Sequence, residues 1–396
     1  MSRVKNNTKD YNVSQFFTVL TLVSLLLFGT ISCSDNSTGT EPDPKEPESI
    51  SQVDTAVNSF MSQYSVPGLS VAITKDGNLV YAKSYGHADA ENNVEVSNSS
   101  LFRIASVSKP ITGVAIMKLA EDGLLSLDDK VFGEGALLGT EYGAKAYSAN
   151  LKNITVNHLL HHTAGGWVND ETDPMFQNLE MNNHELISWV LDNYTLSNAP
   201  GTAYAYSNFG YSLLGRIIEE VTGQSYENYV INEILGPMGI NTMQIGGNTA
   251  GERISNEVKY YGQHSDNPYG HNVTRMDAHG GWIATATDLA KFLVRVDGLP
   301  SKSDVLQAST IQTMTTGSQA NSSYAAGWSV NSANNWWHSG SLPGTASLIV
   351  RSSQGYNWVI LCNTRAWENT FFNDLDLLIW KAVNDPNTEW PDVDLF

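Results

Sequence analysis

Basic residues are scarce in this chain. Lys and Arg total 22 against 41 Asp and Glu in 396 residues, a formal net charge of −19. Nucleic-acid binding rests on neutralising phosphates with cationic side chains, so the deficit excludes an electrostatic grip on DNA or RNA. It equally argues against docking on an anionic membrane surface by charge, and a small or uncharged substrate fits better. Cysteine is rarer still. Cys33 and Cys362 are the two, which excludes a disulfide-rich scaffold and a multi-cysteine zinc site. The N-terminal apolar run, residues 16–31, is 16 residues long, short of the roughly 20 that a spanning helix needs. No internal repeat is present. Core-forming material is not lacking: 41% of residues are hydrophobic, with 10 Trp, 17 Tyr and 12 Phe, which excludes a chain disordered throughout.

The apolar run follows Arg3, Lys5 and Lys9, the layout of a signal peptide. It ends in Thr30-Ile31-Ser32-Cys33, small residues and a Cys that resemble a bacterial lipobox, with Thr30 where Leu is usual. The alternative is an ordinary secretory signal that leaves Cys33 as a spare thiol. Residues 33–48 are polar, acidic and Pro-rich, the composition of a tether. We therefore expect a lipoprotein signal over 1–32, lipidation of Cys33, a tether over 33–48, and an exported protein anchored to the cell envelope. Cys362, in an apolar run, is expected to be a buried thiol.

Folding is expected to begin near Ile50, where Ile50, Val53, Val57, Phe60 and Met61 recur at helical spacing. Two β-rich runs, 69–74 and 79–85, flank Asp76-Gly77, a hairpin signal. Helical patterning then dominates, for example over 111–119 and 213–221. Strands return at 324–330, 336–339, 345–351 and 356–362, before a last amphipathic helix over about 367–383. Strands at both ends and helices between predict an α/β (α+β) architecture. One antiparallel sheet is built from both chain ends and flanked by helices, with an inserted all-helical lobe. The folded unit is placed at 49–390, its sheet lobe at about 49–120 plus 280–390 and its helical lobe at about 121–279. A pocket is expected between the lobes.

Three short motifs can carry chemistry. Ser106-Val107-Ser108-Lys109 is S-x-x-K: on a helix the hydroxyl and the amine share a face. A serine at a helix N-terminus also meets backbone N–H groups that favour developing negative charge, and a desolvated lysine can lose its proton and act as base. Tyr206-Ser207-Asn208 lies on a loop at the mouth of a helix, where the phenol can relay a proton and the carboxamide can hold an amide. His338-Ser339-Gly340 lies on a strand, where the glycine allows close approach. Each has a decoy elsewhere: Ser2-Arg3-Val4-Lys5 in the signal segment, Tyr226-Glu227-Asn228 as a packed helical tyrosine, and His279-Gly280-Gly281 as packing or turn residues. His158, His161 and His162 lack the H-E-x-x-H pattern of a metal site and read as core or capping histidines.

The ordered set, together with FRIASVSKPITG, HLLHHTAGG, NAPGTAYAYSN, YSLLGRIIEEVTGQSYENYV and WWHSGSLPG, resembles the serine β-lactamase/penicillin-binding superfamily. The likeness is greatest to the branch of class C β-lactamases, DD-carboxypeptidases and related esterases. It implies acyl transfer without a cofactor or metal. Ser106 would be the nucleophile, Lys109 its base, and Tyr206 the proton relay to the leaving group. Asn208 would hold a substrate amide. His338, Ser339 and Gly340 would flank the pocket, and Ser341 would give an oxyanion N–H with that of Ser106. The implied substrates are D-Ala-D-Ala peptides or D-amino-acid amides, with ester or weak β-lactam hydrolysis and a non-catalytic sensor as alternatives. Two departures bear on substrate. His338 replaces the usual lysine, and an imidazole titrating at about 6.5 is mostly neutral at pH 7. Residues 303–350 hold no Lys or Arg. A substrate with a free carboxylate therefore loses an anchor unless Arg275 or Arg365 supplies it, and esters or uncharged amides are expected to outrun carboxylate-bearing substrates. No Glu-x-x-x-Asn follows Gly166, so a class A deacylation route has no support in the sequence.

Overall fold

The computed structural model describes residues 49–396. The signal segment, the tether and Cys33 lie outside the described residues. Helix α1 (Ser51–Tyr64) turns Val53, Val57, Phe60 and Tyr64 inward and ends where Ser65 takes a left-handed φ of 51°. Strands β1 (Gly68–Lys75) and β2 (Asn78–Asp89) follow as a hairpin. Asp76 and Gly77 hold φ values of 49° and 82° at its turn, the positive-φ pair that a two-residue hairpin requires. Next come β3 (Val94–Glu95), β4 (Phe102–Arg103), a 3-10 turn over Ala105–Val107, and helix α2 (Ser108–Glu121). The inserted segment contains helices Asn183–Asn193 and Asn208–Thr222, then β5 (Gln244–Ile245). β6 (Trp282–Ala284), β7 (Ser329–Val330), β8 (Trp336–Leu342), β9 (Thr345–Arg351) and β10 (Tyr356–Cys362) lead to the terminal helix Phe371–Val383.

Seven strands form one antiparallel sheet in the order β3-β2-β1-β10-β9-β8-β7. β1 pairs with β10 from Leu69↔Cys362 to Lys75↔Tyr356, so the two ends of the chain meet at the sheet centre. Period-2 alternation gives both faces an apolar surface. Leu69, Val71 and Ile73 join Trp358, Ile360 and Cys362 beneath α1 and the terminal helix. Ala72, Val359 and Leu361 face the other way, into a core continuous with α2 and the helices of the insertion. Each large apolar side chain so buried is worth about 1.5–3 kcal/mol. Cys362 is fully buried, and burial pushes its thiol upward. Among the described residues no helix is long and apolar enough to cross a membrane.

Three details differ from the expectation. The insertion is not wholly helical, because β5 pairs with β6, which also pairs with β4, in a small second sheet. The strand expected over 324–330 shrinks to Ser329–Val330. The preceding residues bend at Gly327, whose φ is 86°, and a Cβ there would lie 2.8 Å from the Lys109 carbonyl oxygen. The chain bends because α2 stands against it. The last helix begins at Phe371 rather than 367, leaving Trp367 exposed.

Candidate active site

Ser106 sits in the 3-10 turn that feeds α2, with Pro110 tolerated in the first turn of that helix. The turn rides directly on β8. A Cβ on Gly340 would lie 2.2 Å from both the Ile104 carbonyl oxygen and Ser347 Oγ, and the Ser347 hydroxyl donates to that carbonyl at 2.6 Å. Glycine is therefore required at 340 for the serine segment to seat on the strand. Ala105, immediately before Ser106, has φ 47°. A left-handed alanine is strained backbone, and strain of this kind clusters where a side chain must be presented.

Lys109 is fully buried one turn on. Its Nζ donates to Ser106 Oγ at 3.1 Å, to Asn208 Oδ1 at 2.7 Å and to the His279 carbonyl at 2.9 Å. The ring of Tyr206 faces the same nitrogen at 4.8 Å. Burial pulls the Lys109 ammonium down to about 7, and the charge of Asp173 acts in the opposite direction. An amine titrating there is available as a base near neutrality. Burial pushes the Tyr206 phenol up, and the nearby Ser106 hydroxyl acts in the opposite direction. His162 lies against the Tyr206 ring, 4.2 Å between centroids, and accepts the Ser207 N–H on Nδ1 at 3.1 Å. Burial keeps that imidazole neutral.

Asn208 opens the helix Asn208–Thr222, which Ser207 caps by accepting the Gly210 N–H. Its carboxamide is fully oriented. Oδ1 accepts from Lys109, and Nδ2 donates to Asp173 Oδ2 at 2.8 Å and to Asn169 Oδ1 at 3.0 Å. Both Nδ2 protons are thus engaged inside the protein, so a substrate amide can meet this side chain at Oδ1 alone.

On β8 the side chains alternate. The His338 ring is buried; Nδ1–H donates to the Ser339 carbonyl at 2.7 Å, so Nε2 accepts from the Tyr324 hydroxyl at 3.1 Å. Burial pulls the ring down to about 3, with the neighbouring Lys109 charge adding to the effect. His338 is neutral, and neither ring nitrogen is left for a ligand. Ser339 and Ser341 point to the opposite, exposed face.

A cavity of about 380 Å³ opens over Ser106. Ser106, Asn208, Ser341 and Arg365 contribute polar groups, and Phe176, Met276, Leu342 and Pro343 an apolar wall. His338, Ser339, Gly340 and Tyr206 are not among the lining residues. The two candidate cations separate cleanly. Arg275 is buried and ties down the loop over 175–181, donating to the carbonyls of Met175, Gln177, Asn178 and Met181. Arg365 lines the cavity: Nη1 donates to Ser341 Oγ at 3.1 Å, while Nε and Nη2 reach Asp266 at 3.1 and 3.3 Å. The cation missing from residues 303–350 thus arrives from just beyond β10.

Two functional neighbours escaped the sequence reading. Asp173 sits in a D-P pair with no chemical motif around it. His279 belonged to a decoy, yet its carbonyl holds Lys109, a backbone role that no side-chain motif signals. The histidine triplet behaves as expected of capping and core residues: His158 Nδ1 accepts the Thr155 N–H in a capping box, and His161 bonds the Asn157 and Thr316 carbonyls. Among the described residues no group of three or more His, Cys, Asp or Glu is placed to hold a metal.

The family model for Beta-lactamase matches residues 53–379. Among curated proteins, Protein flp of Staphylococcus aureus is 28% identical over 326 residues, covering 80% of this chain and 63% of that protein. The chain therefore spans less than two thirds of that relative's length. Among solved structures, the octameric penicillin-binding protein homologue from Pyrococcus abyssi superposes with a TM-score of 0.68 at 25% identity, over 87% of this chain and 80% of that one. D-amino acid amidase from Ochrobactrum anthropi SV3 shares the fold, with a TM-score of 0.69 at 21% identity over 84% of this chain and 98% of its own.

Proposed function

The chain belongs to the Beta-lactamase family, and from that premise we propose that it is a serine hydrolase working through an acyl-Ser106 intermediate. The observation that carries this reading is the contact of a fully buried Lys109 with Ser106 Oγ at 3.1 Å. Neutral Lys109 takes the hydroxyl proton as Ser106 Oγ bonds to the substrate carbonyl carbon. The N–H groups of Ser106 and Ser341 receive the developing oxyanion. Tyr206, whose ring faces Lys109, delivers the proton to the leaving group. Water then takes the acyl group by the reverse sequence. Asn208 keeps Lys109 aimed at Ser106, and His338 braces the wall behind Tyr206.

The cavity lining supports one substrate class. Arg365 and the Ser341 hydroxyl form a polar end suited to a carboxylate, and Phe176, Met276 and Leu342 an apolar end suited to the acyl side. This favours a peptide ending in a free carboxylate, of the kind cleaved by carboxypeptidases, over the esters and uncharged amides suggested by the missing cation. The amidase of like fold supports a D-amino-acid reading by its name. Asp266 gives esterase activity some support as a second reading, because it offsets the Arg365 charge.

Hydrolysis of acyl-D-Ala-D-Ala, its C-terminal amide and a short-chain ester by the purified protein at pH 7 tests the assignment. The free acid is expected to show the highest kcat/KM. Faster turnover of the ester than of either peptide would replace this assignment with the esterase.

A further inference from the structure

Asp173 is fully buried, yet both its hydrogen bonds come from neutral donors: the Met175 N–H to Oδ1 at 2.9 Å and Asn208 Nδ2 to Oδ2 at 2.8 Å. Capping a short 3-10 turn does not call for this. Serine, threonine or asparagine caps without burying a charge, and a buried carboxylate without a contacting cation costs several kcal/mol. The buried cation near it is Lys109, one carboxamide away, because the Asn208 group that donates to Asp173 accepts from Lys109 on its other side.

We propose that Asp173 is a positioning residue: it fixes the Asn208 carboxamide with its oxygen toward Lys109, and it supplies the buried negative charge against which Lys109 titrates. This rests on the reading of Lys109 as the base for Ser106. The other groups around Lys109 carry no compensating charge. His162, His279 and His338 are held neutral by burial, and the phenols of Tyr206 and Tyr211 are pushed up by it. Around Asp173 stand exposed Asp170 on the same loop and the phenols of Tyr194 and Tyr206. Burial draws Lys109 to about 7 and lifts Asp173 to about 6, with each charge opposing the other's shift. The two groups face each other across one amide. The sign follows. Lys109 must be neutral to act, and the Asp173 charge favours the ammonium, so removing that charge lets burial lower Lys109 further. The base then becomes available at lower pH.

The test is the rate of Ser106 labelling by a fluorophosphonate probe as a function of pH, in full-length wild type, Asp173→Asn and Asp173→Ser. Serine still caps the Met175 N–H without charge, which covers the case of a misfolded Asn variant. The acid limb of wild type is expected to have its midpoint near 7, and that of both variants to lie roughly one unit lower. Between about pH 6 and 7 each variant then keeps a few-fold more of its own plateau rate, and the gap narrows below about 6, where Asp173 of wild type itself becomes protonated. Asn169→Ala, which removes an uncharged partner of the same amide, is expected to leave the midpoint in place. Coincident midpoints in wild type and both charge-removing variants would overturn the proposal, whatever the loss of plateau rate. Absence of labelling in wild type at every pH would instead overturn the acyl-Ser106 reading, and this inference with it.

Discussion

At the scale of single residues, the chemistry depends on which polar atoms remain available. Asn208 and His338 were both expected to hold substrate, and both have their nitrogens engaged inside the protein. Arg365 is different. With Nε and one Nη2 proton on Asp266 and one Nη1 proton on Ser341, it keeps two N–H groups for a ligand. Arg365→Ala is therefore expected to raise KM for acyl-D-Ala-D-Ala about tenfold or more while leaving that for the C-terminal amide within about twofold, since a charge-assisted contact is worth about 1.5–3 kcal/mol. Equal losses on the two substrates would mean that Arg365 shapes the cavity and does not read the carboxylate. The sequence made Ser106, Lys109 and Tyr206 legible because each sits in a local motif. Asp173 was not legible, since its role comes from a partner 35 residues away in sequence. The cation was visible as a gap and as two candidates, and a choice between them needed the fold.

At the scale of elements, the candidate site is a contact between one strand and one turn. β8 and the Ala105–Val107 turn approach so closely that only hydrogen fits on Gly340. Gly340→Ala is expected to destabilise the protein by about 1–3 kcal/mol, as overpacking of a tight site does. It should also slow Ser106 labelling by more than the fraction unfolded explains, because the turn carrying the serine must shift. Thermal unfolding measured beside labelling separates the two effects. Unchanged stability and labelling would show that the turn relaxes freely. Elements with strong periodicity or turn chemistry were readable in advance: α1, the β1–β2 hairpin with its Asp76-Gly77 turn, β9 and β10. The 324–330 run was not, because its backbone turns at Gly327 against α2 and only Ser329–Val330 pairs with β8.

At the scale of the whole molecule, the two ends of the chain build the sheet, and the insertion brings Tyr206, Asn208 and Asp173 to a serine held on the sheet side. The acidic balance that opened the sequence reading says little about this site. Local burial sets the charges there: it draws the Lys109 ammonium down to about 7 and keeps His338 neutral. The proposed function requires an acyl group on Ser106, formed with Lys109 as base. Intact-protein mass spectrometry after brief exposure to a fluorescent penicillin, followed by peptide mapping, measures it most directly. One adduct per chain, located on Ser106, absent in Ser106→Ala and strongly slowed in Lys109→Ala, is the predicted result. Equal labelling of wild type and Ser106→Ala would contradict the account.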